Sequence, residues 1–173
     1  GLTEDAEGRI FAAHPVSGIS VLDRSRRLVT HWRSSTQGLA SDRIASLLRA
    51  GNDRIWVLFQ SGEVQWLDLA TGRASSTPQI DPYHLGAVRA IGAAGPDGLW
   101  LAAETGLWRY SSGHAQLLRD ARLGPVTSSK TRVLLEDGSG TLWVGAGDGL
   151  WRLARDRTMR ISLPFATPED AER

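Results

Sequence analysis

A block of about 44 residues recurs four times along this chain, and no other feature limits its fold as tightly. The leading aromatics are Phe11, Trp56, Trp100 and Trp143, at steps of 45, 44 and 43 residues. The turn glycines are Gly18, Gly62, Gly106 and Gly149, at steps of 44, 44 and 43. A near-constant period in this range marks one supersecondary unit copied along the chain. The clearest copy runs Glu136-Asp137-Gly138-Ser139-Gly140-Thr141-Leu142-Trp143-Val144-Gly145 and continues Asp148-Gly149-Leu150-Trp151-Arg152-Leu153. The most divergent is the second, where Gly51-Asn52-Asp53-Arg54 replaces the acidic turn.

Each unit reads as short strands. Ile44 to Leu48, Val88 to Ile91 and Arg132 to Leu135 are short apolar stretches before an Asp/Gly-rich turn. The runs after that turn, Ile55 to Phe59, Leu99 to Ala103 and Leu142 to Val144, are continuously apolar, as in a strand buried on both faces. A small polar residue and glycine follow, with the positive φ of a tight hairpin. Third strands then span Val64 to Asp68, Leu107 to Tyr110 and Leu150 to Leu153. Weaker fourth runs cover Leu28 to Trp32, Arg73 to Ser76, Ala115 to Arg119 and Thr158 to Leu163. Ser41 to Ala50 is the best local helix candidate, yet it sits where a unit begins, so Ile44 to Leu48 is expected to be an inner strand. Four antiparallel strands per repeat make a β-propeller blade. The expected fold is all-β, with hairpin turns centred on the four glycines and repeats at about 1–43, 44–87, 88–130 and 131–173 of one propeller segment, residues 1–173.

Tryptophan recurs in the second strand (Trp56, Trp100, Trp143) and in the third (Trp66, Trp108, Trp151). Large indole rings suit the gap between two twisted sheets, so these positions are expected to form inter-blade core, with Trp100 and Trp143 largely buried. An aromatic platform for a ligand would require the rings to face a channel.

The net charge of +1 and the absence of a basic run argue against a nucleic-acid footprint. No cysteine is present, which removes disulfides, thiol chemistry and cysteine-based metal sites. No stretch is long and apolar enough to span a bilayer.

The repeats resemble those of the two-component regulator propeller, in which a hydrophobic strand leads into Glu-Asp-x-x-Gly-x-Leu-Trp-x-Gly-Thr. Leu134 to Ala146 follows that pattern with Ala146 in place of threonine, and Gln37-Gly38-Leu39-Ala40-Ser41-Asp42-Arg43-Ile44 is similar to the linker that joins its blades. The resemblance implies a periplasmic sensor, the ectodomain of an inner-membrane protein, linked by one membrane helix to a histidine kinase or diguanylate cyclase. It further implies about twice as many repeats as this chain holds, so the chain is expected to be a piece of a larger propeller. Trp151 and Phe11 are then expected near uncovered faces, to be met by the remaining repeats or a second chain, and the full receptor is expected to dimerise.

Candidate chemistry is sparse. His14, His31, His84 and His114 share no metal-like spacing; His14 and His84 fall in connecting loops, where a histidine is ordinarily solvated surface. Asp5, Asp53, Asp97 and Asp137 recur at the first turn of each unit, where capping of their own turn explains them better than calcium ligation. Neither a metal, a cofactor nor a catalytic residue is expected. A propeller binds ligands at a mouth of its channel, where the blade-to-blade linkers and the hairpins between second and third strands meet. That location selects Tyr83, His84, Glu104, Lys130 and Asp148 as candidate contacts for a small molecule or glycan. Two other readings compete. Arg54-Ile55-Trp56 and Asp68-Leu69-Ala70-Thr71-Gly72 are similar to the repeats of streptogramin lyase, an enzyme, and a protein-interaction scaffold shares every feature with the sensor.

Overall fold

The computed structural model describes residues 1–51, 53–76, 80, 85–95, 98–118, 131–147, 149–154 and 157–161. Among the described residues sixteen strands fall into four sheets. The first blade holds β1 (Leu2–Glu4), β2 (Ile10–His14), β3 (Gly18–Leu22) and β4 (Leu28–Trp32). A single helical turn, α1 (Ser34–Gln37), leads to β5 (Ile44–Ala50), β6 (Arg54–Phe59), β7 (Val64–Asp68) and β8 (Ala74–Ser76). The third blade is β9 (Val88–Ala94), β10 (Gly98–Ala103), β11 (Gly106–Ser111) and β12 (His114–Leu117). The fourth is β13 (Thr131–Glu136), β14 (Leu142–Ala146), β15 (Gly149–Leu153) and β16 (Thr158–Ile161). Every sheet is an antiparallel meander in chain order. These are β-propeller blades, and the stretch from Ile44 is strand β5 rather than helix.

The blades stack through their first strands: β1 lies against β5, β5 against β9, and β9 against β13. Each inner blade therefore has a near face toward the preceding blade and a far face toward the next. Alternation along β6 sends Ile55, Val57 and Phe59 into a layer shared with Phe11, Ile19 and Val21 of the first blade. Trp56 and Leu58 enter a second layer with Leu99, Leu101 and Ala103 of the third. Trp100 and Ala102 enter the next layer with Leu134, Leu142 and Val144 of the fourth. Every residue of β10 is buried, which accounts for its unbroken apolar run.

Trp143 is less fully covered than its counterparts in the other blades. Phe11, Trp56 and Trp100 occupy the same repeat position and are covered by the following blade. Trp143 lies on the far face of the fourth blade and is half-buried. Val133 and Leu135, on that same face, are 60% and 59% exposed. At the opposite end Leu2, on the near face of the first blade, is 74% exposed. Among the described residues, no contact comparable to those between successive blades joins the fourth blade back to the first.

The turns correct an expectation. Gly18, Gly106 and Gly149 do not centre their hairpins but open their third strands; Gly106 and Gly149 pair with Ala103 and Ala146 across a two-residue loop. In the first two blades the loop has three residues: His14 pairs with Gly18, and Phe59 accepts the turn bond from Gly62 and donates to Glu63. One extra residue reverses the face of every side chain that follows. Trp66 therefore stands across from Trp56 on a far face, whereas Trp108 stands across from Leu101 and Trp151 from Val144 on near faces. Trp66 and Trp108 reach the same layer from opposite blades. The third-strand tryptophans are two sets, not one ladder.

Trp100→Ala should lower unfolding free energy by about 3–5 kcal/mol in urea denaturation, as for a buried large aromatic. Trp143→Ala should cost less, because its side chain is only partly buried. Equal losses would refute the assignment of Trp143 to an uncovered face.

Candidate functional site

Linkers and hairpins converge on one end of the stack. Asp42 and Arg43, just before β5, bond to Gly18 and Gln60 of the first two hairpins at 2.8 and 3.0 Å. Val88 donates to Gly62 at 3.1 Å, and Glu104 and Thr105 donate to Ala87 and Leu85 at 3.2 Å each. The Gln60 amide reaches the Pro15 carbonyl at 2.9 Å and accepts from Arg43 Nε at 3.1 Å, tying the first two hairpins together. Gly62 makes this seating possible. Its φ is +87°, and a Cβ there would lie 2.7 Å from Ala87 Cβ.

Of the five loop residues selected from the sequence, Glu104 is described. It is exposed in the β10–β11 hairpin and pairs with Arg89 Nη2 at 2.6 Å. Beside it the Thr105 hydroxyl donates to the Leu85 carbonyl at 2.7 Å and accepts from Trp108 Nε1 at 3.0 Å. Tyr83, His84, Lys130 and Asp148 lie outside the described residues, as does Asp97.

Sequence reasoning missed a second polar group at this end. His14 is not a loop residue; it ends β2, with its side chain on the near face of the first blade. Ser20 Oγ lies 2.8 Å from His14 Nε2 and 3.0 Å from His31 Nδ1. The imidazole centroids are 5.7 Å apart. His31 Nε2 meets the carbonyl of Ser17, which can only accept, so that nitrogen carries the proton. With His31 neutral, its Nδ1 accepts from the Ser20 hydroxyl and Ser20 accepts from His14 Nε2–H, so the chain then runs from His14 through Ser20 and His31 to Ser17. Both hydrogen-bonding capacities of the serine are engaged by imidazoles, so the group acts as a clamp across β2, β3 and β4. Residues 14, 20 and 31 have no sequence spacing in common; the ladder Ser20↔His31 and the short β2–β3 hairpin bring them together.

Two of the recurrent turn aspartates, Asp5 and Asp137, cap their own turns. Asp137 accepts from Ser139 N and Oγ at 2.9 and 2.6 Å, from Thr141 N at 3.1 Å, and from the indole of Trp143 at 2.8 Å. The Ser139 hydroxyl and the Trp143 indole hold its carboxyl far below the ordinary carboxylate range. Burial alone would raise Asp5, but bonds from the Arg9 side chain at 2.5 Å and backbone at 2.8 Å outweigh it and leave the group lowered. A carboxyl with a lowered folded-state pKa stabilises the fold above its unfolded value of about 3.9, and that contribution disappears as pH falls through the folded value. Asp137→Asn should therefore melt at a lower temperature than the parent at pH 7. The difference should shrink progressively below about pH 4; a gap that widens on acidification would contradict the capping role.

No protein-family model and no curated protein matches the sequence. Solved structures do. The extracellular domain of the hybrid two-component system BT4673 from B. thetaiotaomicron superposes with a TM-score of 0.74 at 21% identity, over 96% of this chain and 22% of that one. The extracellular domain of the hybrid two-component system BT3049, from the same organism, gives 0.72 at 16%, over 94% and 22%. This chain has the blade fold of hybrid two-component ectodomains. It spans about a fifth of the length of those ectodomains. Virginiamycin B lyase from Staphylococcus aureus also superposes, with a TM-score of 0.67 at 14% identity, over 96% of this chain and 55% of that one. The fold is thus shared by extracellular domains of hybrid two-component systems and by a lyase. Among the described residues no helix is long and apolar enough to cross a membrane.

Proposed function

We propose that the chain is a non-enzymatic segment of an extracytoplasmic sensor propeller, belonging to a membrane-bound signalling protein of the two-component or diguanylate-cyclase type. The observation that carries this reading is a coincidence of two independent resemblances. The Glu136-Asp137 turn with the Leu142-Trp143-Val144-Gly145 strand is similar to the two-component regulator repeat, and the whole fold is similar to ectodomains of hybrid two-component systems.

On this reading the ligand, a small molecule or glycan, sits on the loop end, where linker and hairpin backbones are tied to each other. Glu104 and Arg89 offer opposite charges on adjoining elements, suited to hydroxyl-rich or zwitterionic ligands. Ligand contacts there would pull on the linkers, and through them on how neighbouring blades sit, which is the route to a cytoplasmic output.

A thermal-shift screen of sugars, oligosaccharides and amino acids against the purified chain tests the binding claim. A ligand that raises Tm should do so at least tenfold less potently for Glu104→Gln, with the unliganded Tm unchanged. Turnover of any screened compound that is lost in His14→Ala or His31→Ala would instead favour the enzyme reading.

A further inference from the structure

The far face of the third blade carries a row of three side chains that differs in chemistry from the equivalent rows. Trp100, Arg109 and Gln116 stand opposite one another across β10, β11 and β12. Neighbours in such a row are about 5 Å apart, so an indole, a guanidinium and a carboxamide follow each other on one surface. The same row reads Phe11, Val21, Thr30 in the first blade, Trp56, Trp66, Ser75 in the second and Trp143, Arg152, Met159 in the fourth. Only the third blade sets a cation beside a side-chain amide. We propose that this row and the cavity beside it bind a small carboxylate carried on a ring. The site lies on a face directed at the fourth blade, and it rests neither on the sensing role nor on the loop end.

Packing leaves the cavity open toward the outer strands. Gly92, the β9 residue opposite Trp100, brings the inner strands of the third and fourth blades very close: a Cβ there would lie 2.5 Å from the Leu134 carbonyl oxygen. One strand further out Trp100 is still covered, at 8% exposure, and its Nε1–H donates to Glu136 Oε2 at 2.6 Å. Beyond it the face opens, and Arg109 and Gln116 are exposed. Trp100, Arg109, Gln116 and Leu118 line a cavity of about 590 Å³, within the size range of small-molecule sites.

Charge decides the class of ligand. The Arg109 guanidinium lies 5.8 Å from the centre of the Trp100 ring and forms no ion pair among the described residues. Glu136, the carboxylate that reaches this junction, is engaged by the indole instead. Arginine keeps its charge at physiological pH, and its fork of N–H donors fits a carboxylate with two parallel bonds. Next in the row, the Gln116 amide both donates and accepts, which suits a hydroxyl or carbonyl on the same molecule. Leu118, 38% exposed, supplies an apolar side against which a ring can lie. The indole beneath Arg109 is tied to the fourth blade, so the cation rests on a fixed surface. A sugar acid and an aromatic acid share this chemistry, and the experiment separates them.

Isothermal titration calorimetry of the 173-residue chain with glucuronate and with benzoate, each beside its uncharged counterpart, glucose or benzamide, tests the site. At least one acid should bind saturably and at least tenfold more tightly than its counterpart; which acid does so names the source. Arg109→Gln should weaken that binding at least tenfold with an unaltered circular dichroism spectrum, because the residue is exposed. Should that variant misfold, Gln116→Glu decides: it sets a carboxylate of the chain's own opposite Arg109 and should weaken binding as much. Glu104→Gln, which probes the loop end, should leave the affinity unchanged. Binding lost in Glu104→Gln but kept in Arg109→Gln would assign the ligand to the loop end and overturn the proposal. So would an acid that binds no better than its counterpart, or the absence of saturable binding by both acids.

Discussion

Face-to-face burial of apolar side chains between successive blades is the interaction on which everything else in this molecule depends. Each sheet of four short strands has too little of its own interior to be stable. Three layers solve this, each made from the far face of one blade and the near face of the next. A layer takes its large residues from both sides, as with Trp56, Trp66 and Trp108 between the second and third blades. Stability in such an array is a sum of blade terms and neighbour terms, so a terminal blade keeps only half of its packing. The exposures of Leu2, Val133 and Leu135 are the direct result.

The same stacking builds the loop end. When first strands lie side by side, the linker that enters each one is carried over the hairpins, and backbone bonds from Asp42, Arg43, Leu85 and Ala87 fix it there. Polar side chains at this end are organised by those bonds. Glu104 meets Arg89 because hairpin and inner strand are adjacent, and His31 is oriented by the carbonyl of Ser17 at the hairpin tip. An end made of fixed backbone with polar side chains between its segments is suited to reading a ligand, whereas the strands below only carry load.

Polar capping divides the labour at the other end of the blades. Asp5 and Asp137 each close a turn between a first and a second strand with bonds to their own backbone. Glutamates one position earlier are free to reach outward, and Glu136 does so, to the indole of the neighbouring blade. The Glu-Asp pair thus combines a local task with an inter-blade one. In the third blade Ala93 stands where Glu136 does, and Trp56 Nε1 is left without a partner among the described residues.

The sequence alone determined the repeat, the strand order within it and the blade architecture, because period and two-faced apolar runs are properties of neighbouring residues. It also placed the caps, since Asp at a Gly-rich turn bonds to backbone only a few residues away. Tertiary structure decided what depends on which face a residue occupies and what lies across from it. Trp143 repeats Trp100 in sequence, yet one is half-buried and the other covered, because burial is conferred by the next blade and not by the residue. Trp66 and Trp108 look like one series, but a single residue of hairpin length turns them to opposite faces. His14, Ser20 and His31 carry no motif; cross-strand register alone brings them within hydrogen-bond distance, and register is set by the turn, not by the identities of the residues it aligns.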